Sequence, residues 1–145
     1  MNPTVLIVED HDTLREGLRE WLSISFPGCH ILEARSAKEA MDLLGTGPPD
    51  IILMDIGLSH GLSQMNGIDA TRHIKATTPQ VQIVMLTIHE ASIYQADAAA
   101  AGANAYILQR KMHAELIPAM TKLLSRLGGQ SLGPPKGDRE IEDIE

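Results

Sequence analysis

Glu9, Asp10 and Asp55 are the residues of this chain whose types and spacing could do chemistry. Thr4-Val5-Leu6-Ile7-Val8 is a continuous apolar, β-branched-rich run that ends on Glu9-Asp10, and Asp50-Ile51-Ile52-Leu53-Met54-Asp55 is a second run that ends on a carboxylate. Runs this short read as strands buried on both faces. Open α/β sheets place their ligands outside the carboxyl ends of such strands. Three carboxylates in one crevice repel each other, and two unit charges ~4 Å apart cost roughly 4 kcal/mol at an effective dielectric of ~20. The cluster persists by taking up protons or a cation. An all-oxygen donor set favours a hard cation, and Mg²⁺ suits an open site that keeps several waters and a phosphate oxygen. The bland reading is a set of solvated strand-end acids with no metal.

The remaining elements must bring those strand ends together. After Glu9-Asp10-His11-Asp12 the period changes, and from Thr13 Leu14, Leu18, Trp21 and Leu22 share one helical face while Arg15, Glu16, Arg19 and Glu20 share the other. Pro27-Gly28 stops that helix, and His30-Ile31-Leu32-Glu33-Ala34 reads as a less central strand. Ser36-Ala37-Lys38-Glu39 matches a capping box that opens a helix with Ala40, Leu43 and Leu44 inward, ended by Gly45-Thr46-Gly47-Pro48-Pro49. Beyond the Asp55 strand comes a long loop, then a helix with Ile68, Thr71 and Ile74 inward. Val81–Thr87 is a fourth strand ending on a hydroxyl residue. An Ala-rich helix stops at Gly102, and its low apolar bulk makes it thinly anchored and a candidate for movement. Ala105-Tyr106-Ile107-Leu108 is the fifth strand. The last helix carries Leu116, Met120, Leu123, Leu124 and Leu127, with Pro118 expected near its first turn, where a missing N–H costs least.

Five strands alternating with five helices require a parallel sheet covered on both faces. With right-handed crossovers, the order 2-1-3-4-5 of a flavodoxin-like, doubly wound (βα)5 fold puts strands one and three side by side and gathers Glu9, Asp10 and Asp55. Residues 1–127 form this one domain. Gly128 to Gly137 reads as linker, and the acidic residues to Glu145 read as a tail of disordered composition.

Composition narrows the function classes. The formal charge of −7, of which the tail from Gly128 carries −3, argues against this chain binding nucleic acid directly, because phosphate neutralisation needs clustered Lys and Arg. Aromatics at 3% leave little for base stacking. The one cysteine, Cys29, excludes an internal disulfide framework and cysteine-rich zinc sites, and reads as a small, partly buried residue. No stretch approaches the ~20 apolar residues of a membrane span, and no signal pattern opens the chain, so the expected location is cytoplasmic.

Glu9-Asp10, Met54-Asp55-Ile56, Met65-Asn66-Gly67-Ile68-Asp69-Ala70-Thr71-Arg72, Met85-Leu86-Thr87 and Gly102-Ala103-Asn104-Ala105-Tyr106-Ile107-Leu108 together resemble a response regulator receiver domain of bacterial two-component systems. The likeness spans about residues 1–127. Glu9-Asp10-His11-Asp12 and Arg15-Glu16-Gly17-Leu18 bring it nearest to receivers that precede a helix-turn-helix output domain. The resemblance implies that Asp55 accepts a phosphoryl group from a sensor histidine kinase, with Mg²⁺ held by Glu9, Asp10, Asp55 and the Gly57 carbonyl. It also implies that Thr87 bonds a phosphoryl oxygen, that Tyr106 follows it inward, and that output and homodimer contacts use the helix 4/strand 5/helix 5 face. Any DNA binding would belong to a further domain. The chain is then a phosphoacceptor that takes part in its own phosphotransfer, and not an enzyme in the usual sense.

Two departures from the family pattern stand out. Gln109 occupies the position where the family has Lys, so a charge-assisted bond is lost. Arg110 is expected to point away by strand alternation, with Lys111 able to curl back, although a solvated basic pair is the simpler reading. From Asp55 to Gly67 the chain also advances twelve positions where the pattern has eight, an insertion of roughly four residues around His60–Gln64. His60 reads as a surface histidine, and His11 and His89 as rim residues. Two rivals follow. One is a degenerate receiver that binds partners without phosphorylation. The other, an aspartate-nucleophile phosphatase, wants a second Asp where Gly57 stands.

Overall fold

The computed structural model describes residues 2–57, 65–88, 90 and 92–127. The elements are β1 (Thr4–Val8), α1 (Asp12–Ser25), β2 (His30–Ala34), α2 (Ala37–Leu44), β3 (Ile51–Met54), α3 (Gly67–Thr77), β4 (Gln82–Thr87), α4 (Ser92–Ala101), β5 (Ala105–Leu108) and α5 (Met112–Leu127), with a 3₁₀ turn over Gln109–Lys111. The five strands are parallel in the order 2-1-3-4-5. This is the flavodoxin-like arrangement expected from the alternating pattern.

Strand alternation divides the core into two layers. Leu6, Val8, Ile52, Met54, Ile83 and Met85 pack with Ala37, Ala40, Ile68, Ile74 and Ala98 on the α2–α4 side. Val5, Ile7, Ile51, Leu53, Val84, Leu86 and Ile107 pack with Leu18, Leu22, Leu116 and Met120 on the α1/α5 side. Because β1, β3 and β4 are covered on both faces, their interior residues form unbroken apolar runs, with polar Thr4, Gln82 and Thr87 only at strand ends. β2 lies at one edge, and its Leu32 is exposed. Trp21 of α1 meets His113 of α5 with ring centroids 5.4 Å apart, tying those two helices together.

Registers fix the strand ends. Val8 is level with Met54, and Met54 with Met85, so Glu9 and Asp55 emerge side by side from β1 and β3. α4 buries only Ala98 and Ala101, in keeping with its thin apolar content. It ends on Gly102 at φ +107°, with Gly102 N–H donating to Ala99 and Ala103 N–H to Ala98. That is a left-handed helix stop, which favours glycine.

Several local expectations are corrected. Pro118 lies inside α5, the seventh residue from Met112, and not in its first turn. Pro118 and Ala114, the residue one turn earlier whose carbonyl it cannot meet with an N–H, are both exposed, so the missing bond falls on the solvent side of the helix. Arg15, read as a solvent-face residue, is buried, because Asp12, Glu33 and the Glu9 carbonyl all accept its hydrogen bonds. Ser36 accepts from the Glu39 N–H at 3.1 Å, but the Glu39 carboxylate reaches one residue further back, to the Arg35 N–H at 2.8 Å. The reciprocal capping box belongs instead to α3, between Asn66 and Asp69. The insertion at His60–Gln64, His89 and the segment from Gly128 onward lie outside the described residues.

Candidate functional site

Glu9 is 2% and Asp55 8% exposed, and the two stand in the first position beyond their strands. Main-chain bonds hold both. Glu9 N–H donates to the Ala34 carbonyl at 3.0 Å and Asp55 N–H to the Val8 carbonyl at 3.2 Å, so the ladder of the sheet extends one residue past each strand. The Gly57 N–H then donates to Asp55 Oδ1 at 3.1 Å. From below, α3 presses against the same backbone. Gly67 N–H donates to the Ile56 carbonyl at 2.9 Å, and a Cβ on Gly67 would overlap the Asp55 carbonyl. Only glycine permits that approach.

Ligand atoms from Glu9, Asp10, His11 and Asp55 all lie within 4.8 Å of one another. The three carboxylates are the ones the sequence proposes. His11 was expected only on the rim, yet its Nδ1 lies 2.9 Å from Glu9 Oε2 and 3.3 Å from Asp10 Oδ1. No sequence spacing announces this contact, because it arises from the turn between β1 and α1. The Glu9 carboxyl is pushed up to about 7, first by burial and then by the charge of Asp55, with the His11 hydrogen bond opposing the rise. His11 is raised by its hydrogen bond to Glu9 and by the carboxylate charges around it. The part of the Glu9 shift that comes from Asp55, and the part of the His11 shift that comes from the carboxylates, record crowded negative charge, the condition a bound cation relieves. The oxygen-rich donors suit a hard divalent ion, so the residues present fit Mg²⁺.

His11, Thr13, Leu14, Asp55, Gly57, Ile88 and Gln109 line one cleft of about 630 Å³. Gln109 therefore shares a cleft with Asp55, although it begins a 3₁₀ turn and does not extend β5. That turn cancels the alternation expected for Arg110. Its guanidinium instead pairs with Glu90 at 2.8 and 3.3 Å, joining the segments after β4 and β5, while Lys111 is exposed. Thr87 is fully buried at the end of β4. Tyr106 is level with Met85, two residues before Thr87, so the hydroxyl residue and the ring lie on the α4 side of the sheet. Tyr106 is half-buried, and burial raises its phenol. Cys29 is likewise partly buried with its thiol pushed up, as its small size and position suggest.

A doubly wound parallel sheet with acids gathered at the carboxyl ends of β1 and β3 defines a flavodoxin-like domain with an anionic, cation-ready cleft. The family profile of the response regulator receiver domain matches residues 5–121, and the chain belongs to that family. It is therefore a receiver domain of two-component signalling, a family distinct from the conventional enzyme families. Response regulator protein VraR of Staphylococcus aureus is 34% identical over 124 residues, covering 84% of this chain and 56% of the relative. Transcriptional regulatory protein DegU of Brevibacillus brevis is 28% identical over 130 residues, covering 90% and 52%. The chain thus spans about half the length of the curated relatives it matches. Among solved structures, a LuxR-family two-component response regulator from Aurantimonas sp. SI85-9A1 superposes with a TM-score of 0.76 at 33% identity, covering 87% of each chain. Among the described residues no helix is long and apolar enough to cross a membrane.

Proposed function

We propose that this receiver is a phosphoacceptor switch with Asp55 as the accepting residue. The observation that carries the reading is the meeting of Glu9, Asp10 and Asp55 in one cluster, their ligand atoms within 4.8 Å of one another, at the ends of adjacent strands. An Asp55 carboxylate oxygen attacks the phosphorus of a sensor kinase's phosphohistidine, the P–N bond breaks, and the histidine leaves. Glu9, Asp10, Asp55 and the Gly57 carbonyl would hold Mg²⁺, which when bound offsets charge on the nucleophile and phosphoryl oxygens. Thr87 donates to a phosphoryl oxygen, and Tyr106 follows on the same side of the sheet. The consequence reaches the α4/β5/α5 face, where a homodimer or output domain would read it. Gln109 supplies a hydrogen bond in place of the usual ammonium.

That substitution favours one second reading, a degenerate receiver whose binding face works without phosphorylation. Intact mass after incubation with a small phosphodonor and Mg²⁺ separates the two. The switch predicts a phosphoryl adduct on the native chain, absent from Asp55→Ala and formed faster in Gln109→Lys. No adduct on the native chain, with one on Gln109→Lys, identifies the degenerate form.

A further inference from the structure

We propose that Arg15 is a positioning residue for the acidic cluster: it fixes the Glu9–Asp10 backbone so that the Glu9 and Asp10 carboxylates face Asp55 and can share a divalent cation. The proposal rests on the receiver chemistry above and extends it to a residue outside the carboxylate set.

The Arg15 side chain is 8% exposed, and its guanidinium reaches three elements at once. Nη1 donates to the Glu9 carbonyl at 2.8 Å, Nε to Glu33 Oε1 on β2 at 3.0 Å, and Nη2 to Asp12 Oδ1 in the first turn of α1 at 2.7 Å. Arg19 also reaches Glu33, at 2.9 Å, which holds that carboxylate in place. The Glu9 N–H is already bonded to the Ala34 carbonyl, so both polar groups of its backbone unit are fixed.

Fixing is needed because Glu9 lies one residue beyond the last β1–β2 register pair, Val8 with Ala34, joined to β2 there by its N–H bond to Ala34, and the residues beyond carry mutually repelling charge. An untethered strand end would relieve that repulsion by turning the Glu9 carboxylate toward water. Arg15 opposes this through the main chain, which leaves the Glu9 carboxylate to face His11 and Asp55. A planar fork with five donors can span three acceptors on three elements, whereas a lysine ammonium at the same place keeps the charge but lacks the fork.

The test is Mg²⁺ titration by calorimetry on the full chain, alongside thermal melts, for the native protein, Arg15→Lys, Arg15→Met and Glu33→Gln. Partners that orient metal ligands change affinity by roughly 10-fold or more, so Arg15→Lys should weaken Mg²⁺ binding by about that factor. Arg15→Met should weaken it further, and Glu33→Gln, which frees one arm, by less. A purely structural ion pair would instead lower the melting temperature of every variant and leave Mg²⁺ affinity native, which overturns the proposal. Should Arg15→Met fail to fold, Arg15→Lys and Glu33→Gln decide the question. A native chain that takes up no Mg²⁺ overturns the receiver chemistry itself, a failure distinct from equal affinity across all variants.

Discussion

Glu9 is the residue at which the cost of the site is concentrated. Its carboxyl titrates near 7 in the folded chain and at 4.5 when unfolded, so between those values the folded state holds more protons. Stability therefore falls as pH rises through that window, by on the order of 3 kcal/mol from Glu9 at 1.36 kcal/mol per unit. His11 is also raised, and its contribution likewise fades as pH rises through its folded pKa. In the absence of divalent ions the melting temperature should thus drop between pH 5 and pH 8. A cation on the cluster reverses the sign of the problem, so Mg²⁺ should raise the melting temperature more at pH 8 than at pH 5. Parallel melts with and without Mg²⁺ check this, and a flat pH response in the metal-free protein would sink it.

Elements, rather than side chains, set how accurately Asp55 is presented. α3 begins against the backbone that carries the carboxylate, with no room for a side chain at Gly67. Gly67→Ala should force the helix and the strand end apart and cost about 1–3 kcal/mol, as overpacking of a filled interior generally does. Urea unfolding measures the loss, and the mass assay should show slower phosphoryl uptake in the fraction that remains folded. An Ala variant with native stability would mean that α3 can retreat without strain. The Glu90–Arg110 pair has a different role. Both side chains are more than half exposed, and exposed pairs of this kind contribute little to stability. It links the segments after β4 and β5 with a bond that water and salt readily open.

At the scale of the whole molecule, charge and topology answer different questions. A net charge of −7 predicts that this chain alone does not bind duplex DNA at physiological salt, and anisotropy of a labelled duplex tests that directly. Topology was readable from the sequence because the interiors of β1, β3 and β4 are unbroken apolar runs, and only strands covered on both faces need them. The carboxylate cluster was readable for the same reason, since each acid terminates such a run. Arg15 was not, because helical periodicity counts a guanidinium as polar and cannot see that Glu33 on another element satisfies it. His11 and the turn at Gln109–Lys111 were hidden by loop geometry, and Pro118 by a helix that starts earlier than its proline suggests. The contact between Trp21 and His113 carries a further consequence. Thr13 and Leu14 line both the groove that holds this ring pair and the acidic cleft. Trp21 is the sole tryptophan of the chain. The molecule therefore holds a native fluorophore one wall away from its acidic cleft, and unlabelled emission spectra can follow what enters there.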